Sequence, residues 1–439
     1  MRVAIVGSGI AGLAAAHTLA GHARVTLYEA GPWFGGHTHT VDVTLPTAQG
    51  PVTHGVDTGF LVFNERTYPR LIELFAQLGV PTVKSDMSFS VQVPDAFRSG
   101  PLEWSGSSLN TVFAQRANLG RPRFLRMLRD LLRFNRLATA CARSGQEAQL
   151  LQPLGEFLAD HRFSDEFRDW YLLPMIGCIW SCPTDQMLRF PVATLVRFCH
   201  NHGLLQVTDR PQWWTVAGGA RGYVDKILAG IGDQRLNTPV RKVIRSAGGA
   251  TVVTDGGSER FDHVVMATHP DQALAVLADV SAAESELLGA IRYQRNRAVL
   301  HTDASALPRR RSAWAAWNYE SGPAGGGQVC LHYWLNRLQP LPWPQPVLVS
   351  LNPLREIARN KIMGEYEYEH PVFDRAAIAA QAGVTQLQGQ RRTWFCGAWT
   401  GYGFHEDGLK AGQRVGRALR DGANPLPATG VRVPSEAST

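Results

Sequence analysis

Arg2-Val-Ala-Ile-Val6, Gly7-Ser-Gly9-Ile-Ala-Gly12 and Leu13-Ala-Ala-Ala-His-Thr-Leu-Ala20 follow one another at the start of the chain. They read in turn as a short β-branched strand, a glycine turn and an alanine-rich helix. A second apolar run, Arg24-Val-Thr-Leu-Tyr28, ends in Glu29, and Gly31-Pro32 and then Gly35-Gly36 break the chain after it. A lone G-x-G-x-x-G is weak evidence, because glycine triplets also occur in plain turns. Here it leaves a strand, opens a helix and is followed about 20 residues later by an acid, the pattern of a dinucleotide-binding βαβ unit. Gly7 permits the tight turn, Gly9 lets the backbone approach a pyrophosphate and Gly12 allows close helix packing. The helix N-terminus offers N–H groups and positive dipole to the phosphates, and Glu29 accepts hydrogen bonds from a ribose.

Outward from this unit the character of the chain alternates. Residues 65 to 210 carry helical periodicity with interspersed Trp and Phe. Within them Arg126, Arg129, Arg133 and Arg136 repeat at spacings of 3 and 4 beside Phe124, Leu125, Leu128, Leu131 and Leu132, which makes an amphipathic helix with a basic stripe. Strand and glycine character returns near 215, with Val216-Ala-Gly-Gly219, Pro239 to Ile244, Ala250 to Thr254 and Phe261 to Ala267. After a mixed aromatic region from 290 to 390, a final strand, Arg392 to Cys396, meets Gly397 and leads into a helix from about Gly408. The expected fold is α/β: a Rossmann-like nucleotide-binding domain from 1–80, 211–290 and 391–424, interleaved with a mixed α+β substrate domain from 81–210 and 291–390. Residues 425–439, rich in Pro, Ser and Thr, are expected to be a mobile tail.

With 439 residues, 44% hydrophobic and 18% charged, the composition is that of a globular protein with ample core. No run is long and apolar enough to span a bilayer, and the N-terminus lacks a signal-peptide pattern, so a cytoplasmic address is expected. Six cysteines are too few and too uneven for a disulfide framework. Cys178, Cys182, His200 and His202 are set among apolar residues and read as packing, with no metal site expected. The net charge of +7 favours an anionic partner. No helix-turn-helix, finger or RRM signature accompanies it, and the charge is dispersed except on the Arg126–Arg136 helix, so nucleic acid is not expected. That helix is instead a candidate for contact with lipid phosphates at an anionic membrane surface.

Gly35-Gly36-His37-Thr38, Asp57-Thr58-Gly59-Phe60, Val240 to Val243, Ala267-Thr268-His269-Pro270 and Phe395-Cys-Gly-Ala-Trp-Thr-Gly-Tyr-Gly-Phe-His-Glu-Asp-Gly408 recur in the order seen in flavoproteins. From residue 1 to about 420 the chain resembles the flavin-containing amine oxidoreductase superfamily, with its amine oxidase or glutathione-reductase-like fold. The strings Gly35-Gly-His-Thr-His-Thr40, Val56 to Tyr68, Ile179-Trp-Ser181 and Phe395 to Gly408 are similar to a narrower bacterial group of predicted NAD/FAD-binding proteins associated with cyclopropane-fatty-acyl synthase-like methyltransferases. The resemblance implies that FAD is the cofactor. It places Gly7, Gly9, Gly12 and Glu29 on the ADP half, Gly36, His37 and Thr38 near the pyrophosphate and flavin, Val240 and Val243 beside the adenine, and Gly397 and Asp407 near the ribityl and pyrophosphate.

Departures from the family pattern shape the functional expectation. His37 stands where the superfamily commonly has Arg. Cys396 lies on the strand before Gly397, outside the motif position used for covalent flavin, so FAD is expected to be non-covalent. The stretch Gln294-Arg-Asn-Arg-Ala298 lacks the Lys that many amine oxidases place near the flavin. Three functions follow: a dehydrogenase or desaturase of a methylated fatty acyl chain of a lipid, a flavin amine oxidase on a small amine, or a non-catalytic flavin-binding partner of a lipid methyltransferase. His405, His37 and Tyr402 are the candidate catalytic residues, with His405 first because a strand-to-helix loop aims it inward.

Overall fold

The Arg2–Val6 strand occupies the centre of a five-stranded parallel sheet. The order across the sheet is Asp233–Arg235, Arg24–Tyr28, Arg2–Val6, His263–Met266, Thr393–Phe395. In this computed structural model, residues 1–144, 152–180, 184–206, 210–322 and 329–422 are described. Ser181, Cys182 and the 425–439 tail lie outside them. Alternation along the central strand sends Val3 and Ile5 into one core and Ala4 and Val6 into another. The first core is roofed by the helices Ile10–Leu19 and His405–Asp421. The second is roofed by an antiparallel sheet of Val240–Ser246, Gly249–Thr254 and Gly257–Phe261. A strand buried on both faces reads as a continuous apolar run, which is what Val3-Ala-Ile-Val6 is.

A second, seven-stranded sheet runs Ile362–Pro371, Tyr293–His301, Leu348–Leu351, Cys330–Trp334, Trp317–Glu320, Phe89–Phe97, Gly100–Ser105. Its neighbours are antiparallel except for Trp317–Glu320 beside Phe89–Phe97. Helices Pro122–Ser144, Leu173–Trp180 and Val192–Asn201 fall in the chain between the strands Phe89–Phe97 and Gly100–Ser105 and the other five.

Three local expectations are corrected. Residues 65–210 are not uniformly helical, because Thr82–Ser85, Phe89–Phe97 and Gly100–Ser105 are strands; the alternation of Phe89-Ser-Val-Gln-Val93 is a β period. Phe261 to Ala267 is not one strand. Phe261 ends the antiparallel sheet and His263 begins the parallel one, with Asp262 between them. The last helix starts at His405, three residues before Gly408, because the Asp407 carboxylate accepts the backbone N–H of Phe404 and stabilises an earlier first turn.

The first and last helices cross closely. A Cβ on Gly408 would meet Ile10 Cγ2 at 2.8 Å, one on Gly412 would meet the Ala11 carbonyl oxygen at 2.0 Å, and one on Gly416 would meet Thr18 Cβ at 2.6 Å. Glycine every fourth residue lets one backbone lie against the other. The adjoining Glu406 is buried and accepts the N–H groups of Arg70 (3.1 Å) and Leu71 (3.0 Å), capping a helix, Pro69–Leu78, that has no side-chain cap of its own.

Candidate functional site

Three glycines at the end of the first strand do three different things. Gly7 has φ +101°, and a Cβ there would meet the Ala267 carbonyl oxygen at 2.7 Å. Gly12 lies so close to Gly7 that a Cβ would sit 2.0 Å from its carbonyl oxygen. A Cβ on Gly9 would meet nothing within 4 Å, so this backbone faces open space, at the start of a helix that no side chain caps. The Gly35-Gly36 turn is stitched to it: Gly35 N–H donates to the Ser8 carbonyl oxygen at 3.1 Å, and Gly36, at φ +57°, approaches Gly9 Cα. Glu29 accepts from Ser8 N–H (3.0 Å) and Ser8 Oγ–H (2.5 Å) through one oxygen and from Gly31 N–H (2.8 Å) through the other. Uncapped helix N–H groups beside open glycine backbone, with a carboxylate at the next strand end, suit the phosphates and ribose of a dinucleotide.

Val240 and Val243 lie on the first strand of the antiparallel roof, buried in one cluster with Val6 and Tyr28. Gly397 follows the last strand of the parallel sheet, and a Cβ on it would meet Trp399 Nε1 at 2.2 Å. Beyond it the 397–404 loop is braced from two sides. Gln381 Nε2 donates to the carbonyl oxygens of Trp399 and Gly401, each at 2.7 Å, and one Asp407 oxygen accepts from Tyr402 N–H (3.0 Å) and Phe404 N–H (3.1 Å). Burial pushes the Asp407 carboxyl up to about 6. Its polar capacity holds this loop in shape.

The His405 ring stacks on Phe60, with centroids 3.9 Å apart. Its Nε2 lies 2.6 Å from Tyr223 Oη, which is itself 2.6 Å from Thr38 Oγ1. Burial lowers the His405 pKa to about 3, so the ring is neutral at ordinary pH. Thr38 joins the two candidate imidazoles, since His37 precedes it in the chain. His37 is half-buried and held well below its usual range, first by desolvation and then by His370, His269 and His405. Its Nε2 is buried without a hydrogen-bond partner among the described residues. Tyr402 lies apart from both, toward Trp180 and Phe198; its carbonyl oxygen accepts from Trp180 Nε1 at 3.3 Å.

Several residues here were not singled out by sequence reading. Tyr368 lies 5.1 Å from His37, ring to ring, and His370 lies 5.4 Å away. Asn296, on the strand where a Lys was sought, is 2.9 Å from His370 Nδ1 through its Nδ2 and accepts from Asn352. The signal for this group was the strict alternation Glu365-Tyr-Glu-Tyr-Glu-His370. Glu365, Glu367 and Glu369 pair with Arg297 and Arg295, while Tyr368 and His370 approach His37. Asp57 was quoted only within a motif, yet it is a hub. It is buried, accepts from Thr40 Oγ1, Ala220 N–H and Gln339 Nε2, and burial raises its pKa to about 6.

A family model for flavin-containing amine oxidoreductases matches residues 10–299. The protein "Putative flavin-containing monoamine oxidase AofH" of Mycobacterium tuberculosis is 26% identical over 289 residues, covering 63% of this chain and 59% of the relative. The chain therefore spans somewhat under two thirds of that curated relative. Among solved structures, a cyclohexylamine oxidase from Brevibacterium oxydans superposes with a TM-score of 0.66 at 18% identity, over 96% of this chain and 99% of the other. A CLA-producing fatty acid isomerase from P. acnes gives 0.66 at 17% identity, over 95% and 98%. The chain belongs to the flavin-containing amine oxidoreductase family, and its cofactor is FAD. No helix among the described residues is long and apolar enough to cross a membrane.

Proposed function

We propose that this protein is an FAD-dependent dehydrogenase or desaturase of a fatty acyl chain carried by a lipid, with His37 as the group that takes the proton. The observation that carries the reading is the partnerless, buried and neutral His37 Nε2, set among Tyr368 and the neutral His370 rather than beside a free carboxylate. Such a setting suits an uncharged C–H substrate. An ammonium group entering it would find no counter-charge, because Asp57 and Asp407 are spent on backbone and side-chain hydrogen bonds and Glu369 is paired with His269 and Arg295.

FAD, when bound, accepts the hydride and its two electrons. The chain's residues do the rest. His37 Nε2 removes the proton from the neighbouring carbon, and the electrons of that C–H bond form the carbon–carbon double bond. His405 remains neutral, and its bond to Tyr223 fixes the Thr38 side of the site. Phe404 stacks on Phe198 with centroids 5.0 Å apart. A methyl-branched or ring-bearing acyl chain, supplied by a methyltransferase acting on lipid, belongs to this reading. The fold itself is shared by amine oxidases and a fatty acid isomerase, so it supports either substrate class.

The test is anaerobic mixing of the yellow protein with phospholipids bearing unsaturated or methylated chains, read as loss of flavin absorbance. Bleaching is expected with the lipid, and His37→Gln should slow it about 10²- to 10⁴-fold while retaining FAD. Rapid bleaching by a soluble primary amine and none by lipid would replace the reading with amine oxidation. No bleaching by either would favour a non-catalytic flavin-binding partner of the methyltransferase.

A further inference from the structure

The helix Pro122–Ser144 is not arranged as its sequence suggests. Arg133 packs over the Phe163 ring at 4.0 Å and donates to the His161 carbonyl oxygen, and Arg123 and Arg126 pair with Glu166 at 2.6 and 3.7 Å. These three guanidinium groups tie the helix to the 161–170 segment. Phe124, Met127, Asp130 and Phe134 face the core. The opposite side, at about 100° per residue, is a stripe of Leu125, Arg129, Leu132, Arg136 and Arg143, all exposed. Arg136 makes no ion pair among the described residues, and Arg129 makes only a 3.7 Å approach to the acid next to it.

Two more leucines stand out of the surface just before this helix, Leu109 at 79% and Leu119 at 57% exposure. Of the nine exposed large apolar side chains among the described residues, four fall between 109 and 132, which concentrates them in one stretch of the chain. Residues 109–143 carry eight arginines against one aspartate, a surplus equal to the net charge of the entire chain, +7. The segment is held together locally: Arg116 bonds Asn110, and Phe113 packs edge-on to Phe124 at 5.9 Å. Leucines projecting between exposed arginines are complementary to one surface above others, a bilayer with anionic headgroups, where apolar side chains enter the acyl boundary and guanidinium groups meet phosphate.

We infer that the exposed stripe of Leu125, Arg129, Leu132 and Arg136, with the exposed Leu109 and Leu119 of the preceding segment, seats the protein on an anionic phospholipid bilayer. The helix carrying it packs on Val192–Asn201, whose Phe198 touches Tyr402 and Phe404, so one element separates the membrane-facing stripe from the site. The inference goes beyond the acyl-chain reading and does not need it, since docking is measured without turnover.

The experiment is co-sedimentation of the FAD-loaded protein with vesicles of phosphatidylcholine alone and of phosphatidylcholine with phosphatidylglycerol, at low and high salt. Binding to the anionic vesicles is expected, weakening as salt screens the charge. Arg129→Glu with Arg136→Glu should reduce it at least about tenfold. Leu125→Gln with Leu132→Gln should reduce it severalfold while leaving the salt dependence in place. Both variants must keep the flavin spectrum and melting temperature of the parent, because they change only exposed positions; Arg126 and Arg133 are left intact for that reason. Equal binding to both vesicle types, no binding at low salt, or undiminished binding by the charge variant would overturn the inference. So would loss on charge reversal without any effect of the leucine changes, combined with equally tight binding to duplex nucleic acid. Failure here would leave the flavin-bleaching test unaffected, and failure of that test would leave this one standing.

Discussion

Gly412→Ala is a one-carbon change with a large expected effect. The new methyl would stand 2.0 Å from the Ala11 carbonyl oxygen and 2.9 Å from Ala14 Cβ. The oxygen belongs to the backbone of the first helix and cannot swing aside, so the two helices must separate by about an ångström or more. Overpacking of this kind costs about 1–3 kcal/mol, and a clash with backbone belongs at the upper end. Better helix propensity of Ala over Gly returns up to about 1 kcal/mol, leaving a net loss of about 2 kcal/mol. The first helix carries the Gly7–Gly12 turn at its N-terminus, so its displacement also disturbs the phosphate-facing backbone. The assay is thermal melting together with flavin absorbance per protein. The variant should melt several degrees lower and retain less FAD. Gly222→Ala is the control: it lies in the helix Arg221–Leu228, and its methyl would meet nothing within 4 Å, so it should be neutral or slightly stabilising. If Gly412→Ala kept the parent's melting temperature and full flavin content, the close crossing would be refuted.

Acidification should destabilise the protein between about pH 6.5 and 4. His39, His202, His301 and His370 are lowered to about 4 and His405 to about 3, in each case first by burial, so the unfolded chain binds protons there that the folded chain does not. Stability from these groups is present above their unfolded value near 6.5 and is lost as pH falls. Asp57 and Asp407, raised to about 6, act in the opposite sense but are fewer. Each net proton changes stability by about 1.4 kcal/mol per pH unit, and a urea midpoint that stayed flat or rose from pH 6.5 to 5 would contradict this. Glu29→Ala should weaken FAD binding about 10- to 100-fold, measured by titrating apoprotein, since a hydrogen bond to a charged group is worth about 1.5–3 kcal/mol. Glu406→Ala leaves the Arg70 and Leu71 N–H groups without their acceptor; a loss of about 1–2 kcal/mol in denaturant melts is expected, with the Pro69–Leu78 helix exchanging amide hydrogens first.

The first βαβ unit was legible because its information is local: a β-branched run and three glycines at fixed offsets specify strand, turn and helix before any partner is known. The same holds for the last strand and its loop. What stayed hidden depends on partners far along the chain. Phe261 and His263 look like one strand until the sheets they join are known, and the Gly408, Gly412 and Gly416 spacing gains meaning only against Ala11 and Thr18. His405 was read as a loop residue aimed inward, whereas it opens the last helix, and its neighbour Tyr223 lies 182 residues away. The basic helix was read correctly as amphipathic and incorrectly as presenting Arg126 and Arg133 freely, because Glu166 and Phe163, which engage them, belong to another segment. Periodicity reports that a face is polar; it does not report what that face meets.

The crossing of the first and last helices also dictates an order of events during synthesis. Until Thr393–Phe395 and His405–Asp421 have been made, the central strand of the parallel sheet can pair with its nearer neighbours but lacks the outer strand beyond His263–Met266 and half of its helical roof. Ala11, Ala14 and Ala15 stay exposed through that whole interval. Contacts between elements so distant in sequence form late and slow folding, so a chain in which the last helix has not yet packed holds an uncovered sheet edge and an apolar helix face. The glycine turn is made well before the helix that holds it in place. The backbone suited to the dinucleotide is therefore complete only once the last helix has packed against the first, and a chain lacking that helix should not retain FAD.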